Sequence, residues 1–385
     1  MFKRSIFRAQ HEALRADVSQ FLDAEVMPHH DTWTNDGYTP REIWHKAGEA
    51  GLLCRSLPQK YGGPGGNFVD SVVIIEELAK RRIFGLLSFL QSDIVAPFIL
   101  KLGTEEQKQR WLPSMHSGET LGAIALTEPQ GGSDLGSIKT QATLSDKTVL
   151  LNGTKTHISN GSAADIIIVA ARTDTGAANT QPAISLILTE ATRPGIRRQQ
   201  IAKSGMPALD TSEITFKDCV IPSDHILGGA GMGFVYLMTF LGVERLTLAI
   251  YAQASAERML KELIADCDAR KVQGDSVLDF QNTRFTLADL YSACAVNRAF
   301  IDNCIVEASA GKFDPKLACI AKLRATDTLK QIAAAGVQFR GASGISGASG
   351  ARATQDMIDS AVQSIWGGTS EIMRDVIGRS LASAL

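Results

Sequence analysis

The six cysteines of this chain form no C-x-x-C pair; they lie scattered at Cys54, Cys219, Cys267, Cys294, Cys304 and Cys319. The scatter argues against a disulfide framework and predicts reduced, mostly buried thiols in a cytoplasmic protein. An excess of one charge sign is also missing. With 39 basic and 41 acidic residues the net charge is −2, which leaves no electrostatic footprint for nucleic acid. No apolar run approaches the length of a membrane span, and no apolar stretch follows the basic start Met1-Phe2-Lys3-Arg4 to make a secretory signal. Internal repeats and low-complexity tracts are absent. His29-His30 has no partner at metal-ligand spacing, so no metal site is expected, and Lys80-Arg81-Arg82 reads as a solvated helix end. Hydrophobic residues at 44% and charged residues at 21% are ordinary globular composition, and 385 residues predict two or three subdomains.

Strand–helix alternation is absent too, and that excludes a doubly wound nucleotide fold. From about residue 5 to 118 the periodicity is helical. Phe7, Leu14, Val18, Phe21 and Leu22 form one apolar stripe, and Ile43, Trp44, Ala47 and Leu52 form another behind a start signal at Thr39-Pro40-Arg41-Glu42. Val72, Val73, Ile75 and Leu78 belong to a third helix, and Thr104-Glu105-Glu106-Gln107 reads as a capped helix start. Between 121 and 227 the pattern turns to strands, at 121–127, 148–158, 165–172, 183–189 and 212–217, broken by Asn-Gly, Asp-Thr-Gly and Arg-Pro-Gly turns. Beyond Gly228-Gly229-Ala230-Gly231-Met232-Gly233 long helices resume, at about 234–269, 280–310, 314–341, 351–363 and 369–382. The expectation is an α+β chain with three parts: a helical domain at 1–120, a central β domain at 121–230 and a helical domain at 231–385.

Three segments carry chemistry. Leu126-Thr127-Glu128-Pro129-Gln130-Gly131-Gly132-Ser133-Asp134-Leu135 packs hydroxyls, a carboxylate and two glycines into a turn after a strand. Bare backbone and hydroxyl donors can hold an anionic cofactor, although the same residues also make ordinary loops. In the helix after 234, Leu237, Leu241, Glu244, Leu248, Tyr251, Ser255 and Met259 share one stripe, so Glu244 is a carboxylate within an apolar seam. Desolvation would poise it as a general base, unless local partners satisfy it. Ile365-Trp366-Gly367-Gly368-Thr369-Ser370-Glu371 places two glycines before a helix start, suited either to a polar ligand or to simple capping.

Taken in order, L-T-E-P-x-G-G-S-D-L (126–135), N-G-T-K-T-H-I-S-N-G (152–161), V-E-R-L (243–246) and W-G-G-T-S-E-I (366–372) resemble the acyl-CoA dehydrogenase family. The likeness covers essentially the whole chain. It is nearest to the long-chain and isovaleryl-type members, and the run Arg298–Cys304 supports the long-chain comparison. The resemblance implies a helical domain, a central β domain and a C-terminal four-helix-bundle-like domain. It also implies FAD as cofactor and α,β-dehydrogenation of an acyl thioester to the trans-2-enoyl product. In most members the base follows the aromatic of the C-terminal motif, where Gly367 stands here; in long-chain and isovaleryl-type enzymes it is the Glu of an E-R pair, here Glu244.

The same residue-by-residue likeness implies that Leu126, Thr127 and Ser133 line the flavin and thioester site, with His157, Ile158 and Ser159 beside the isoalloxazine. Gln338, Gly341, Thr369 and Glu371 would contact FAD. Arg270 and Gln281 would reach the FAD of a neighbouring subunit, which implies a homodimer or homotetramer. Arg245, Ser133, Gly367 and Gly368 would meet the thioester substrate, its carbonyl held by the Gly367 N–H. An electron-transfer flavoprotein would accept the electrons. Departures from the family pattern are Gln273 in an aromatic's place, Ala342 for a second glycine, a flexible-looking Ser343–Gly350 loop, no basic residue near Asp359-Ser360-Ala361, and His157 where a bulky aromatic is usual. They leave three alternatives: a biosynthetic dehydrogenase acting on an acyl-carrier protein, a flavin-dependent monooxygenase of the same fold, and a non-catalytic partner subunit.

Overall fold

The computed structural model describes residues 3–173 and 183–381. The Asp174-Thr175-Gly176 turn and the last residue of the helix expected over 369–382 lie outside the described residues. The N-terminal region consists of α1 (Ala9–Phe21), α2 (His30–Asp36), α3 (Arg41–Glu49), α4 (Phe68–Lys80), α5 (Ala96–Leu102) and α6 (Glu105–Ser117). At the start of α6, Thr104 Oγ1 accepts from Gln107 N at 3.2 Å while Gln107 Oε1 accepts from Thr104 N at 2.9 Å. That is the reciprocal cap the spacing predicts. Helix α3 begins at Arg41 as expected, but Thr39 does not cap it; its hydroxyl is buried without a partner among the described residues.

Seven strands follow: β1 (Gly122–Ala125), β2 (Gln141–Leu144), β3 (Thr148–Ser159), β4 (Ile166–Thr173), β5 (Ala183–Glu190), β6 (Ile196–Gln200) and β7 (Thr211–Pro222). They form one sheet in the order β1-β4-β2-β3-β7-β6, with β5 antiparallel to β4 on its other edge. Strand β4 explains the shape. Its run Ile166–Ala171 is buried on both faces, as an apolar strand without polar alternation must be. Ile166, Ile168 and Ala170 pack on Phe98, Leu112 and Met115 of the helices, while Ile167, Val169 and Ala171 face Val149, Ile214 and Phe216 of the curled sheet. Strands β2 and β6 have no counterpart among the expected elements. Ile196-Arg197-Arg198-Gln199-Gln200 is a polar edge strand, whose charges protect an open edge and erase the apolar signature.

The C-terminal region contains α7 (Gly233–Ala269), the hairpin β8 (Lys271–Val272) and β9 (Asp275–Ser276), then α8 (Gln281–Ser309), α9 (Pro315–Arg340), α10 (Gly347–Gln363) and α11 (Ser370–Ser380). Helix α7 is the core element. By length and composition it could cross a membrane, with a mean hydropathy of 1.4 in its most apolar window, contrary to the expectation that no run approaches that length. Its apolarity has a packing origin: α4, α8 and α9 all lie against it. Small residues Ala249, Ala252 and Ala256 face Ala318, Ala321 and Ala325 in the same core. The expected flexible loop at 343–350 is instead a 3-10 turn over Gly341–Gly344 followed by the first turn of α10.

Buried charges tie these parts together. Arg298 is 1% exposed and donates to Glu76 Oε1 at 3.0 Å and Glu257 Oε1 at 2.6 Å. Arg4 reaches the same Glu76 oxygen at 2.6 Å and grips both oxygens of Asp302. Burial opposes the Glu76 charge, yet Arg298, Arg4 and Arg15 hold its pKa below the usual carboxylate value. Arg82, expected to be solvated, pairs with Glu262 and with Asp356 at 3.0 Å, closing α10 onto the N-terminal region. Because removing one member strands the others in a dry site, Glu76→Gln should cost about 3 kcal/mol of unfolding free energy. A urea titration followed by circular dichroism measures it; an unchanged midpoint would show that the network contributes nothing net.

Candidate active site

The sheet supplies one wall. Beyond the end of β1, the Leu126–Leu135 turn is fastened to β3 by a buried ion pair: Lys155 Nζ donates to Glu128 Oε1 at 2.7 Å and to Leu126 O at 3.0 Å. Glu128 also accepts from Lys139 N at 2.7 Å and Thr140 N at 2.9 Å. Burial works against both charges. For Glu128 the Lys155 ammonium and the backbone donors win, holding its pKa at about 2, whereas burial lowers Lys155 to about 8. Thr156 N donates to Thr127 O at 2.9 Å, bringing the turn beside the end of β3.

There the register shifts between Lys155 and Ile158, and His157 adopts φ +57 with its side chain exposed. A non-glycine residue in that region carries roughly 1 kcal/mol of strain, which is characteristic of bulges that aim a side chain. Gly131, Gly132 and Ser133 are exposed, and a Cβ built on Gly131 meets nothing within 4 Å. Leu126, Thr127, Ser133, His157, Ile158 and Ser159 are therefore gathered at one end of the sheet, around open backbone suited to an extended anionic ligand. Leu126 also packs in the cluster that holds Leu237 and Leu241, one turn before Glu244 on α7.

The second wall is helical. Leu237, Leu241, Leu248, Tyr251, Ser255 and Met259 are all buried, as their spacing predicts. Glu244 keeps a strip of accessible surface, yet burial of its carboxyl raises its pKa to about 7 against the opposing pull of Arg245 and Lys322. It makes no hydrogen bond among the described residues. Its neighbour Arg245 is buried and donates Nη1 to Cys319 Sγ at 3.4 Å, while its Nε has no partner among the described residues.

Over this pair lies the turn between α10 and α11, closed by Ser370 N donating to Ser364 O at 3.0 Å. Gly367 and Gly368 have φ +57 and +96. A Cβ on Gly367 would lie 3.4 Å from Glu244 Oε1 and 2.3 Å from Leu248 Cδ1, and one on Gly368 would lie 3.9 Å from Arg245 Nε. Both positions have left-handed backbones that favour glycine, and a side chain at 367 would have to displace the end of Leu248. The Gly367 N–H donates to no group among the described residues. Thr369 caps α11 by accepting from Ile372 N at 3.3 Å, and Glu371 is exposed in its first turn.

The remaining predicted residues sit elsewhere. The guanidinium of Arg270 donates to Phe339 O, and a Cβ on Gly341 would lie 3.1 Å from Arg270 Nη2. Gln338 is exposed sixteen residues beyond Lys322 along α9, roughly 24 Å away. Gln281, at the start of α8, is also exposed. Gln338 and Gly341 thus go with Arg270 at the far end of the bundle, not with Thr369 and Glu371.

Two features were missed by the sequence reading. Lys322 on α9 is 1% exposed and donates to Gly368 O at 2.6 Å. The Glu128–Lys155 pair is equally buried. Lys322 was detectable by the reasoning that marked Glu244, because Ala318, Cys319, Ala321 and Ala325 around it are apolar core residues.

Family models support this arrangement in sequence. Acyl-CoA dehydrogenase N-terminal, middle and C-terminal domains match residues 8–119, 123–219 and 231–382. The chain belongs to the acyl-CoA dehydrogenase family. This acyl-CoA dehydrogenase is 38% identical over 381 residues to the mitochondrial long-chain specific acyl-CoA dehydrogenase of Mus musculus, covering 99% of this chain and 88% of that relative. The crystal structure of an acyl-CoA dehydrogenase from Geobacillus kaustophilus superposes with a TM-score of 0.94 at 40% identity, over 98% of this chain and 100% of that one. A glutaryl-CoA dehydrogenase from Mycobacterium smegmatis, in complex with FADH2, superposes with a TM-score of 0.89 at 26% identity, over 98% and 96%.

Lys155→Met in this acyl-CoA dehydrogenase should strand the Glu128 carboxylate and destabilise the protein by roughly 3–5 kcal/mol, whereas adding Glu128→Gln should recover much of it. The lowered Glu128 pKa means that this carboxylate's contribution is full above about pH 4.5 and is lost as pH falls toward about 2. Denaturant midpoints of the single and double variants at pH 7 check the coupling; equal midpoints would refute it.

Proposed function

We propose that the protein is an FAD-dependent dehydrogenase of acyl-CoA thioesters in which Glu244 abstracts the α-proton. The observation that carries this reading is the coincidence of two groups unpaired among the described residues: a desolvated Glu244 carboxyl without hydrogen bonds and a Gly367 N–H without an acceptor, across a glycine turn. A thioester carbonyl that accepts from Gly367 N–H places its α-carbon beside Glu244. Hydrogen bonding of the carbonyl raises the acidity of that carbon, and desolvation strengthens the base. The α-proton passes to Glu244 and the β-hydrogen departs as hydride, leaving the trans-2-enoyl thioester. FAD, when bound, supplies the hydride acceptor that the side chains lack. The bare backbone at Gly131-Gly132, the hydroxyls of Thr127, Ser133 and Ser159, and exposed His157 fit a cofactor along the sheet wall; the unpartnered Arg245 Nε fits a polar substrate atom.

The position of Arg270 with Gln338 and Gly341, far from Glu244, supports a subunit-shared cofactor site. On this reading the far end of one subunit completes the site of a neighbour in a homodimer or homotetramer, with Gln281 beside it. Exposed apolar residues on α8, Phe285 at 62% and Val296 at 69%, supply surface for such packing. Acyl-CoA is the proposed substrate and an electron-transfer flavoprotein the proposed acceptor.

Glu244→Gln should keep flavin bound and lower kcat by at least about a hundredfold, since general-base catalysis of this kind supplies about 10²–10⁴. Turnover within tenfold of the unaltered protein would refute the role. The unaltered kcat/KM should fall as pH drops below about 7, where Glu244 protonates. The same raised pKa makes the charge a folding cost that grows from about pH 4.5 to about 7 and is complete above it. Glu244→Gln should therefore raise stability at pH 8 by on the order of 2 kcal/mol, read from the denaturant midpoint.

A further inference from the structure

Lys322 is a buried ammonium with one hydrogen bond. Its Nζ donates to Gly368 O at 2.6 Å, while its other two N–H donors have no partner among the described residues. Holding a cation in a site only 1% exposed is costly, and packing alone would be served as well by an unbranched apolar chain. The ammonium stands between two things the proposed reaction needs. One is the Gly367-Gly368 turn, whose two residues have the freest backbones available and no side chains to anchor them. The other is Glu244, which faces cationic groups from two helices: Arg245 beside it on α7, and Lys322 on α9. The charged and titratable groups around Lys322 are Glu244 and Arg245 from α7, and Cys319 and Asp327 from its own helix; the turn contributes none.

We propose that Lys322 is a positioning residue for this reaction: it clamps the Gly368 carbonyl so that the Gly367 N–H points at the thioester carbonyl, and its charge favours the carboxylate form of Glu244. The inference rests on the reading of Glu244 as the base. The clamped carbonyl belongs to the Gly368–Thr369 peptide and the donor to the Trp366–Gly367 peptide, so backbone rotation at the two glycines between them moves the donor, and a misplacement of about 1 Å at a reacting carbonyl can cost about a hundredfold in rate. Asp327 steadies the other end of the clamp. It accepts from Arg374 Nη2 at 2.8 Å and from Ser370 Oγ at 3.5 Å, holding α11 on α9.

The test uses the flavin-loaded protein with Lys322→Met, which keeps chain length but removes donor and charge, and Lys322→Gln, which keeps an amide donor without charge. For Lys322→Met, kcat should fall roughly ten- to hundredfold with KM changed less than about threefold. The acid limb of its kcat/KM profile should move up by about one pH unit, because Glu244 loses a facing cation. Lys322→Gln should show the same displaced limb with a smaller loss of kcat. A readout without turnover is calorimetric affinity for a 3-thia-acyl-CoA, which has no β-hydride to lose; it should weaken in Lys322→Met and weaken less in Lys322→Gln.

Wild-type kcat and an unmoved acid limb in both variants would overturn the proposal. So would lost activity accompanied only by lost flavin and a lower melting temperature, with the acid limb of the residual activity unmoved. Failure of the underlying reading looks different: Glu244→Gln would then remain active, whereas failure of this inference alone leaves Glu244→Gln inactive and the acid limb of Lys322→Met unmoved.

Discussion

A carboxyl group kept out of water and left without hydrogen-bond donors is unstable unless the surrounding structure is rigid enough to hold it there. Glu244 is in that position, and much of the C-terminal region serves to maintain it. Helix α7 is packed by α4, α8 and α9, so the residue cannot swing out by bending its own helix. Above it the Gly367-Gly368 turn is tethered by Lys322 and by the closing Ser370–Ser364 bond. The nearest cations, Arg245 and Lys322, offset part of the desolvation without bonding to the carboxyl, which keeps the group basic and available. A direct salt bridge would have lowered its pKa and occupied its lone pairs.

The two walls of the site are held by different physics. The helical wall relies on apolar packing of small residues and on a turn whose left-handed backbone favours glycine. The sheet wall relies on the buried Glu128–Lys155 pair, which fixes the turn after β1 to the bulged end of β3 and so sets where Thr127, Ser133 and His157 project. Leu126 connects the walls through its contacts with the Leu237 and Leu241 cluster. Arg4, Glu76, Arg298 and Asp302 fasten the N-terminal region to the bundle beneath α7.

Much of this was legible in the sequence, for reasons that particular residues make plain. The apolar stripe of α7 has the period of a helix, so a carboxylate at 244 stood out by position alone. Reciprocal Thr104 and Gln107 capping follows from local spacing. Strand β6 was not legible because a charged edge strand has no apolar face to read, and the helical start of α10 was hidden by Gly347, Ser349 and Gly350, which usually mark loops. The grouping of Gln338 and Gly341 with Arg270 depends on how far α7 and α9 run before they end, a tertiary fact. Lys322 escaped because a lone lysine in a helix is ordinarily solvated; only the apolar residues on its own face indicated otherwise.

Thioester dehydrogenation at Glu244 is the proposed reaction of this chain. Its most direct test is an anaerobic titration of the flavin-loaded protein with a series of saturated acyl-CoAs, reading the flavin absorbance. Rapid bleaching by one chain class is expected in the unaltered protein, with the 2-enoyl-CoA formed in proportion, and no rapid bleaching in Glu244→Gln. A yellow protein that no acyl-CoA bleaches, or bleaching that persists undiminished in Glu244→Gln, would contradict it.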